Sequence, residues 1–327
     1  MSEPPLLTLV IPCYNEQEVF PPLREAVVSL LDALAPDLRT EVILVDDGSL
    51  DATWRLIEAF AADDPRVRGI ALSRNFGHQQ ALTCGYDFAR GDAVVTLDAD
   101  LQDPPEAVHR MVARWREGAD VVYAVRARRE GETLFKRASA AAFYRILRLA
   151  GARQVRSDAG DFRLMSRRCL DALRGMKEQH RFLRGMVGWL GFRSAEIVYD
   201  RAPRRAGTTK YPLRRMVRFA LDATLSFSIL PLRLTFLFAG GLTAAILSYL
   251  AYVAARYWLY DVALVPGWTS LLLSIMAFGA LNLVCLGILG EYVGRIFEEA
   301  KGRPLYVVRE VAARPDGGPA APVPRSP

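Results

Sequence analysis

Two carboxylates and an amide follow a short apolar segment in the first third of the chain. Asp98, Asp100 and Gln102 come directly after residues 94–97, a β-branched apolar run that is typical of a buried strand. The two prolines that come next force a turn and can begin a helix. Carboxylate and amide oxygens suit a hard cation such as Mg²⁺ or Mn²⁺. An isolated Asp-x-Asp is equally typical of an acidic turn that caps the next helix, so its meaning depends on the surrounding elements.

Strand-like and helix-like patterns alternate through the first 125 residues. The strand patterns cover residues 6–11, 41–45, 67–72, 94–97 and 120–125, with helical patterns between them. This alternation predicts right-handed βαβ crossovers, and hence an α/β domain with a mostly parallel sheet covered on both faces. Ligands of such sheets bind at the carboxyl ends of the strands. The predicted ends carry Pro12, Tyr14, Glu16, Asp46, Asp47, Arg74, Asn75, Asp98 and Asp100.

This predicted edge lacks a glycine-rich phosphate loop. The chain has no Gly-x-Gly-x-x-Gly after its first strand and no Gly-x-x-x-x-Gly-Lys-Ser/Thr, which disfavours a dinucleotide-binding fold and a P-loop. Acids at the strand ends instead favour phosphates that are held through a metal ion. Asp46 could also accept hydrogen bonds from a base or a ribose. Residues 46–51 can equally form a turn and a helix cap, and the two interpretations are compatible.

Composition narrows the other possibilities. The four cysteines form no Cys-x-x-Cys and the three histidines form no His-x-x-x-His pair, so we expect no zinc site, disulfide framework or histidine-based metal site. The 42 Lys and Arg against 36 Asp and Glu give a net charge of +6, a bias compatible with anionic lipid, phosphorylated ligands or nucleic acid. The first residues do not have the pattern of a cleavable signal peptide, so we expect the front of the chain in the cytosol.

Basic segments follow the alternating region. Residues 126–156 are basic and lack strand patterns, and within them residues 134–147 place apolar side chains at helical spacing among cations. This pattern is typical of a membrane-interface helix or of ordinary helix packing. Asp158 and Asp161 then stand beside an apolar run. In residues 201–211, cations stand beside glycine and hydroxyl residues, as in a phosphate clamp; a solvated basic face is the alternative.

Two long segments without charge come next. No charged residue lies between Arg233 and Arg256, or between Asp261 and Glu291. At ~1.5 Å per residue, each segment can cross a ~30 Å hydrocarbon core. The basic residues on either side of the pair predict that both ends lie in the cytoplasm.

The predicted organisation has four parts, which make a multi-pass protein of the inner (cytoplasmic) membrane. Residues 1–210 form the cytosolic α/β domain and residues 211–231 a juxtamembrane interfacial helix. Residues 232–296 hold two transmembrane helices, at about 234–256 and 266–290. Residues 297–327 form a cytosolic tail that is disordered from about residue 314.

Several motifs, taken together, resemble one enzyme family. They are Pro12-Cys-Tyr-Asn-Glu16, Val45-Asp-Asp-Gly-Ser49, Leu72-Ser-Arg-Asn-Phe-Gly77, Leu97-Asp-Ala-Asp-Leu-Gln-Asp-Pro-Pro-Glu106, Gly160-Asp-Phe-Arg163, Arg181-Phe-Leu-Arg-Gly185, Ala206-Gly-Thr-Thr-Lys-Tyr211, Ser226-Phe-Ser228 and Gly290-Glu-Tyr-Val-Gly-Arg295. Over roughly residues 6–309 the chain resembles family 2 glycosyltransferases with a GT-A fold. Within that family it is similar to the polyprenyl-phosphate glycosyltransferases, which include bactoprenol glucosyltransferase and dolichol-phosphate mannosyltransferase.

The resemblance implies an inverting hexosyltransferase at the cytoplasmic face of the membrane. It would move a sugar from a nucleotide diphosphate donor to a polyprenyl phosphate such as undecaprenyl phosphate, with Mg²⁺ or Mn²⁺ as cofactor. A UDP-sugar, first of all UDP-glucose, is the expected donor; N-acetylglucosamine and mannose donors are the alternatives. The resemblance also implies a homo-oligomer and no nucleic-acid partner.

The resemblance assigns roles to individual positions. Asp161 matches the usual catalytic base, with Asp158 as its rival. The metal would be held by Asp98, Asp100 and Gln102, with Asp100 as the most direct ligand. The acceptor phosphate would meet Arg126 and Arg137. The nucleotide sugar would contact Pro12, Tyr14, Glu16, Asp46, Asp47, Gln79, Asp98, Arg205 and Lys210.

Elementary chemistry leaves the role of Asp161 open. A phosphate monoester has its second pKa near ~6, so the attacking oxygen is already largely ionised at neutral pH. A strong base is therefore hardly required. Asp161 is either that base or a group that orients the acceptor or stabilises the oxocarbenium-like centre.

Proteins of other classes fit the sequence less well. A processive polysaccharide synthase would carry Gln-x-x-Arg-Trp and more transmembrane helices, and a transporter would need more than two helices to line a pathway. A catalytically inactive nucleotide-sugar-binding membrane protein stays open as an alternative.

Overall fold

The helices and strands alternate as predicted through the first part of the chain. The computed structural model describes residues 3–35, 37–126, 159–200 and 267–313, and between 238 and 258 only positions 238, 240–245, 247–249, 251, 252, 255 and 258. In chain order the elements are β1 (Leu6–Cys13), α1 (Phe20–Leu34), β2 (Arg39–Asp46), α2 (Thr53–Asp63), β3 (Val67–Leu72), α3 (His78–Phe88), β4 (Ala93–Thr96), α4 (Ala107–Arg116), β5 (Val121–Arg126), β6 (Ala159–Ser166), α5 (Arg167–Gly175), α6 (Leu183–Trp189), β7 (Ser194–Tyr199), α7 (Trp268–Ala300) and β8 (Val308–Ala312).

These strands form one sheet in the order β7-β5-β6-β4-β1-β2-β3-β8. Strand β1 lies parallel to β2 and to β4, β2 to β3, and β5 to β7. Strand β6 runs antiparallel to β4 and β5, and β8 runs antiparallel to β3. The α/β fold class with a mostly parallel sheet is therefore confirmed.

Helices cover both faces of the sheet. Because successive side chains of a strand point to opposite faces, Leu9 packs into one core with Leu23 of α1 and Ile57 of α2, whereas Val10 packs into the other. The second core also takes Leu82 of α3 and residues of α5 and α6. Both faces are thus apolar, as expected of central strands that read as continuous hydrophobic runs.

The first strand continues past the proline that the sequence analysis placed at its end. Strand β1 reaches Cys13, and Pro12 pairs with Val45 of β2. On its other side, β1 pairs with β4 only as far as Val10 opposite Thr96. Pro12 therefore has a strand partner on one side only, and its missing N–H interrupts no ladder there.

The chain returns to the sheet after α7, within the segment predicted to be a tail. Strand β8 pairs with β3 from Gly69 opposite Ala312 to Leu72 opposite Val308. The Tyr306 hydroxyl donates to Asp87 of α3 at 2.8 Å. Residues 301–313, which we call the return segment, therefore pack onto the α/β domain through β8 and Tyr306, contacts that the prediction of a cytosolic tail over residues 297–327 did not include. Sequence patterning missed β8 because it is a short edge strand with two charges, as edge strands often are.

Helix α7 is the one helix in the described part of the chain that is long and apolar enough to cross a membrane, over Ser274–Ala300. None of its most apolar window is buried within the chain. The first predicted transmembrane helix falls largely outside the described residues; Gly240–Tyr249 there is a shorter apolar helix. The two-helix hairpin thus stays a prediction, as do the domain boundaries around it.

Candidate active site

Asp46 closes β2 as a buried carboxylate with spare hydrogen-bonding capacity. Its Oδ1 accepts the backbone N–H of Ser49 at 3.2 Å, and its Oδ2 has no hydrogen-bond partner among the described residues. Burial raises the pKa of Asp46, although the hydrogen bonds from Ser49 and the charge of Arg309 oppose the shift. Because an unpartnered buried acceptor is costly, this oxygen suits a donor group on a ligand.

Asp47, by contrast, already has its acceptors engaged. It accepts the backbone N–H of Phe76 at 2.8 Å and that of Gly77 at 2.9 Å. Gly77 has a φ of +110°, a conformation that glycine adopts at little cost. Asp47 thus holds the loop between β3 and α3, a role that the sequence analysis did not assign to it beside nucleotide binding.

The loop after β1 is tied to the loop after β2. The backbone N–H of Asn15 donates to Ser49 Oγ at 2.9 Å, and the Asn15 side-chain oxygen accepts the N–H of Leu50 at 2.8 Å. The N–H of Glu16 donates to Thr53 Oγ1 at 2.8 Å. Tyr14, directly before these residues, has an exposed side chain, so its ring is accessible to a flat ligand group.

The Asp-x-Asp turn lies at the end of β4. Asp100 Oδ1 accepts the N–H of Gln102 at 3.1 Å, and Leu101 between them has a φ of +53°. Asp98 Oδ1 is buried without a hydrogen-bond partner in the described part of the chain. Burial, followed by the charges of neighbouring carboxylates, raises the pKa of Asp98 to about 6, although His78 opposes the shift.

This donor set fits a divalent cation. Within the described residues, no three or more His, Cys, Asp or Glu side chains are grouped so as to hold a metal. Mg²⁺, however, is usually held by one or two carboxylates, with substrate phosphates and water as the other ligands. One oxygen of Asp98 has no hydrogen-bond partner among the described residues, and burial, followed by neighbouring like charges, raises its pKa. A cation would therefore stabilise this carboxylate.

Asp161 has the opposite environment. It lies in β6 and is almost fully buried. Arg163 donates to it at 2.8 Å, Arg184 of α6 donates at 2.8 and 3.1 Å, and His78 Nε2 stands 3.5 Å away. Burial alone would raise the pKa of Asp161, but the hydrogen bond from His78 and the two guanidinium groups hold it well below its ordinary value.

Strands β4 and β6 bring this carboxylate to the Asp-x-Asp turn. Their register pairs Thr96 with Arg163, and extending it by two residues places Asp98 opposite Asp161. His78 Nε2 lies 3.9 Å from Asp98 Oδ1, so the imidazole stands beside both carboxylates. No role was predicted from the sequence for Arg163, Arg184 or His78. The first two stand in motifs that carry the family resemblance, and His78 directly follows a third.

Gln79, the residue after His78, makes a hydrogen bond that joins two helices. Its side-chain oxygen accepts the backbone N–H of Leu183 at 3.0 Å, which joins the start of α3 to the start of α6. Pro12 is buried at the edge, in β1. Asp158, Arg137, Arg205, Lys210 and the side chain of Arg126 lie outside the part of the chain that the structure describes.

The site thus combines carboxylate oxygens at the ends of β2 and β4 that have no hydrogen-bond partner in the described chain with a carboxylate of β6 that arginine side chains already neutralise. The sequence matches the family described as glycosyl transferase family 2 over residues 8–174, about half of the chain. The uncharacterized glycosyltransferase YkcC of Bacillus subtilis is 41% identical over 303 residues, which are 93% of this chain and 93% of the relative.

Two further comparisons are with a curated relative and with a solved structure. The bactoprenol glucosyl transferase of Shigella phage SfV is 38% identical over 308 residues, which are 93% of this chain and 98% of the relative. Among solved structures, glucosyl-3-phosphoglycerate synthase from Mycobacterium tuberculosis, in complex with Mn²⁺, uridine diphosphate and phosphoglyceric acid, has a TM-score of 0.47 and 19% identity, covering 68% of this chain and 76% of that one. From the family match and the curated relatives, the chain belongs to glycosyl transferase family 2 and is a glycosyltransferase.

Proposed function

We propose that the protein transfers a hexose, with glucose as the first candidate, from a UDP-sugar to polyprenyl phosphate. The observation that carries this proposal is the 38% identity, over 93% of the chain, to a protein named bactoprenol glucosyl transferase. An apolar helix that could lie in a membrane, α7, fits a lipid acceptor. Cytoplasmic orientation and homo-oligomerisation are parts of the same proposal.

The donor would bind along the ends of β1, β2 and β4. The unpartnered Oδ2 of Asp46 would accept a hydrogen bond from the base or the ribose, and the exposed ring of Tyr14 would cover it. Asp98, Asp100 and Gln102 would hold Mg²⁺ or Mn²⁺. When bound, that cation would stabilise the negative charge that develops on the departing nucleoside diphosphate.

The acceptor would approach from the side of β6. Its phosphate oxygen would form the new bond to the anomeric carbon as the bond to the diphosphate breaks, on the opposite face, so that the configuration inverts. The phosphate is largely ionised at neutral pH. His78 and the guanidinium groups around Asp161 favour the ionised form of Asp161. Asp161 would therefore act as a fixed negative charge that orients the acceptor and stabilises the oxocarbenium-like centre, with no proton to accept.

A product assay tests the proposal. Purified full-length protein is incubated with undecaprenyl phosphate, Mg²⁺ and, separately, labelled UDP-glucose, UDP-N-acetylglucosamine or GDP-mannose. We expect a labelled product that partitions into chloroform with UDP-glucose. Asp100→Ala should reduce its formation at least about 100-fold, since the charge on the leaving group loses its stabilisation. Asp63→Ala, at an exposed carboxylate in the last turn of α2, is the control and should leave the rate unchanged.

Other outcomes separate the alternatives. Product with only one of the other donors would retain the reaction and change the sugar, because a few pocket hydrogen bonds set sugar selectivity. Binding of a nucleotide sugar without product from any donor would overturn the proposal in favour of an inactive nucleotide-sugar-binding membrane protein.

A further inference from the structure

His78 stands where the two halves of the reaction centre meet. It is the first residue of α3, directly after the loop that Asp47 holds through the N–H groups of Phe76 and Gly77. The buried carboxylate of Asp47, directly after β2, thus fixes the backbone that precedes His78. Gly77 at φ +110° completes that loop, so the direction in which α3 begins is set by specific contacts.

The imidazole faces two carboxylates on neighbouring strands. Nε2 lies 3.5 Å from Oδ2 of Asp161 and 3.9 Å from Oδ1 of Asp98. The β4–β6 register, extended by two residues beyond Thr96 and Arg163, sets these carboxylates across from each other, so two like charges would repel at this point. Asp161 has Arg163 and Arg184 as further partners, whereas among the described residues Asp98 has an ion pair with His78 alone.

The imidazole is also accessible. The side chain of His78 is 46% exposed, against 3% for Asp161. A residue that served only to fill the core would be covered. His78 instead lies, partly exposed, beside both Asp98, which we assign to the donor, and Asp161, which we assign to the acceptor.

We propose that His78 is a positioning residue of the transfer reaction, whose Nε2 keeps Asp98 and Asp161 at a fixed separation so that the donor sugar and the acceptor phosphate meet in line. The inference rests on the proposed function, because it assigns the two carboxylates to donor and acceptor. Without the imidazole, Asp98 would turn away from Asp161. A displacement of about 1 Å in a reacting group can reduce the rate about 100-fold, while the nucleotide keeps its contacts at β1 and β2.

Four variants of the full chain test the inference in the product assay: His78→Ala, His78→Asn, His78→Gln and His109→Ala. Glutamine can place an amide N–H near the position of Nε2, whereas asparagine is too short to do so. The exposed His109 of α4 is the matched control.

We expect kcat to fall about 30- to 100-fold in His78→Ala and His78→Asn, with the donor KM within about threefold of wild type. His78→Gln should recover most of kcat, and His109→Ala should match wild type. A kcat for His78→Ala within threefold of wild type would overturn the inference, and so would a His78→Gln variant as slow as His78→Ala. Thermal unfolding of each variant identifies any loss that comes from misfolding.

A structural measurement separates this inference from the proposed function. Crystal structures of wild type, His78→Ala and His78→Gln give the distance between the Asp98 and Asp161 carboxylates without any turnover. We expect the distance to increase in His78→Ala only. If wild type yields no lipid-linked product but this distance responds as expected, the proposed function fails and the positioning role stands; an unchanged distance in His78→Ala contradicts the positioning role whatever the activity.

Discussion

Asp46 and Asp98, which we call the donor side, and Asp161 of β6 lie in opposite electrostatic environments. Asp46 and Asp98 each keep a buried oxygen without a hydrogen-bond partner in the described chain, and burial raises the pKa of both. Asp161 is also buried, yet His78 and two arginines lower its pKa. Burial acts on all three carboxylates, so the opposite direction of their pKa shifts comes from their different charged and hydrogen-bonding partners.

This contrast separates two kinds of functional acid. An acid whose ionised form is disfavoured in the free protein gains when a ligand brings a cation or a hydrogen-bond donor. An acid already surrounded by cations stays ionised whether or not a ligand is bound. The first kind suits nucleotide and metal binding, and the second suits a permanent charge in the reaction centre.

The largest expected effect is on stability at the β6 side. Asp161→Asn leaves the fully buried Arg163 without its carboxylate partner, which should lower the free energy of unfolding by about 3–5 kcal/mol at pH 7. A depressed pKa contributes stability above the ordinary value of ~3.9 that is lost as the pH falls below it. The difference from wild type should thus be full at pH 7 and narrow below about pH 4 in unfolding measurements.

Asp98→Asn is the matched comparison for that prediction. Its carboxylate has a pKa raised to about 6, so its ionised form opposes folding at pH 7 and a neutral amide should cost less than roughly 1 kcal/mol. Equal losses of stability in Asp98→Asn and Asp161→Asn would contradict the difference in electrostatic environment between these two carboxylates.

The second effect concerns the affinity for the nucleotide. Asp46→Asn replaces a charged acceptor, and a hydrogen bond to a charged group is worth about 1.5–3 kcal/mol, so the Kd for UDP should rise about 10- to 100-fold. Isothermal titration calorimetry measures it, with the exposed Asp63→Asn as control. An unchanged Kd for Asp46→Asn would show that its free oxygen does not meet the nucleotide.

A third, smaller effect than that on nucleotide affinity is expected away from both sides, in the return segment. Tyr306→Phe removes the hydrogen bond to Asp87 and should lower the free energy of unfolding by about 1 kcal/mol, without changing the affinity for UDP. The control is Tyr14→Phe, in which an exposed hydroxyl is lost and the stability should not change. A change in UDP affinity in Tyr306→Phe would mean that the return segment takes part in donor binding.

The donor side could be predicted from the sequence because it is built locally. Each strand from β1 to β4 is followed at once by its polar residues, and the next helix returns the chain to the neighbouring strand. Apolar runs and turn residues therefore located Asp46 and Asp98 within a few residues of strand ends that the structure places at Asp46 and Thr96.

The β6 side could not be predicted in this way. Strand β6 carries glycine, aspartate and arginine among its first five residues, which conceals a strand pattern. It also pairs with β4, which is distant in sequence, as well as with β5. The ion pairs of Asp161 involve Arg184 of α6, 23 residues away in the sequence, and His78 of α3. Contacts of this kind depend on the packed fold, and spacing along the chain does not encode them.

The permanent ionisation of Asp161 is the claim on which the two-sided account depends. Its most direct test is the ratio of kcat between wild type and Asp161→Asn, measured from pH 5.5 to 8.5 with the same donor and acceptor. Groups common to both proteins, including the acceptor phosphate, cancel in this ratio. The account predicts that the ratio is constant over the whole range. A ratio that falls about tenfold per pH unit below some pH in this range would show that Asp161 titrates there as a general base, and would contradict the account.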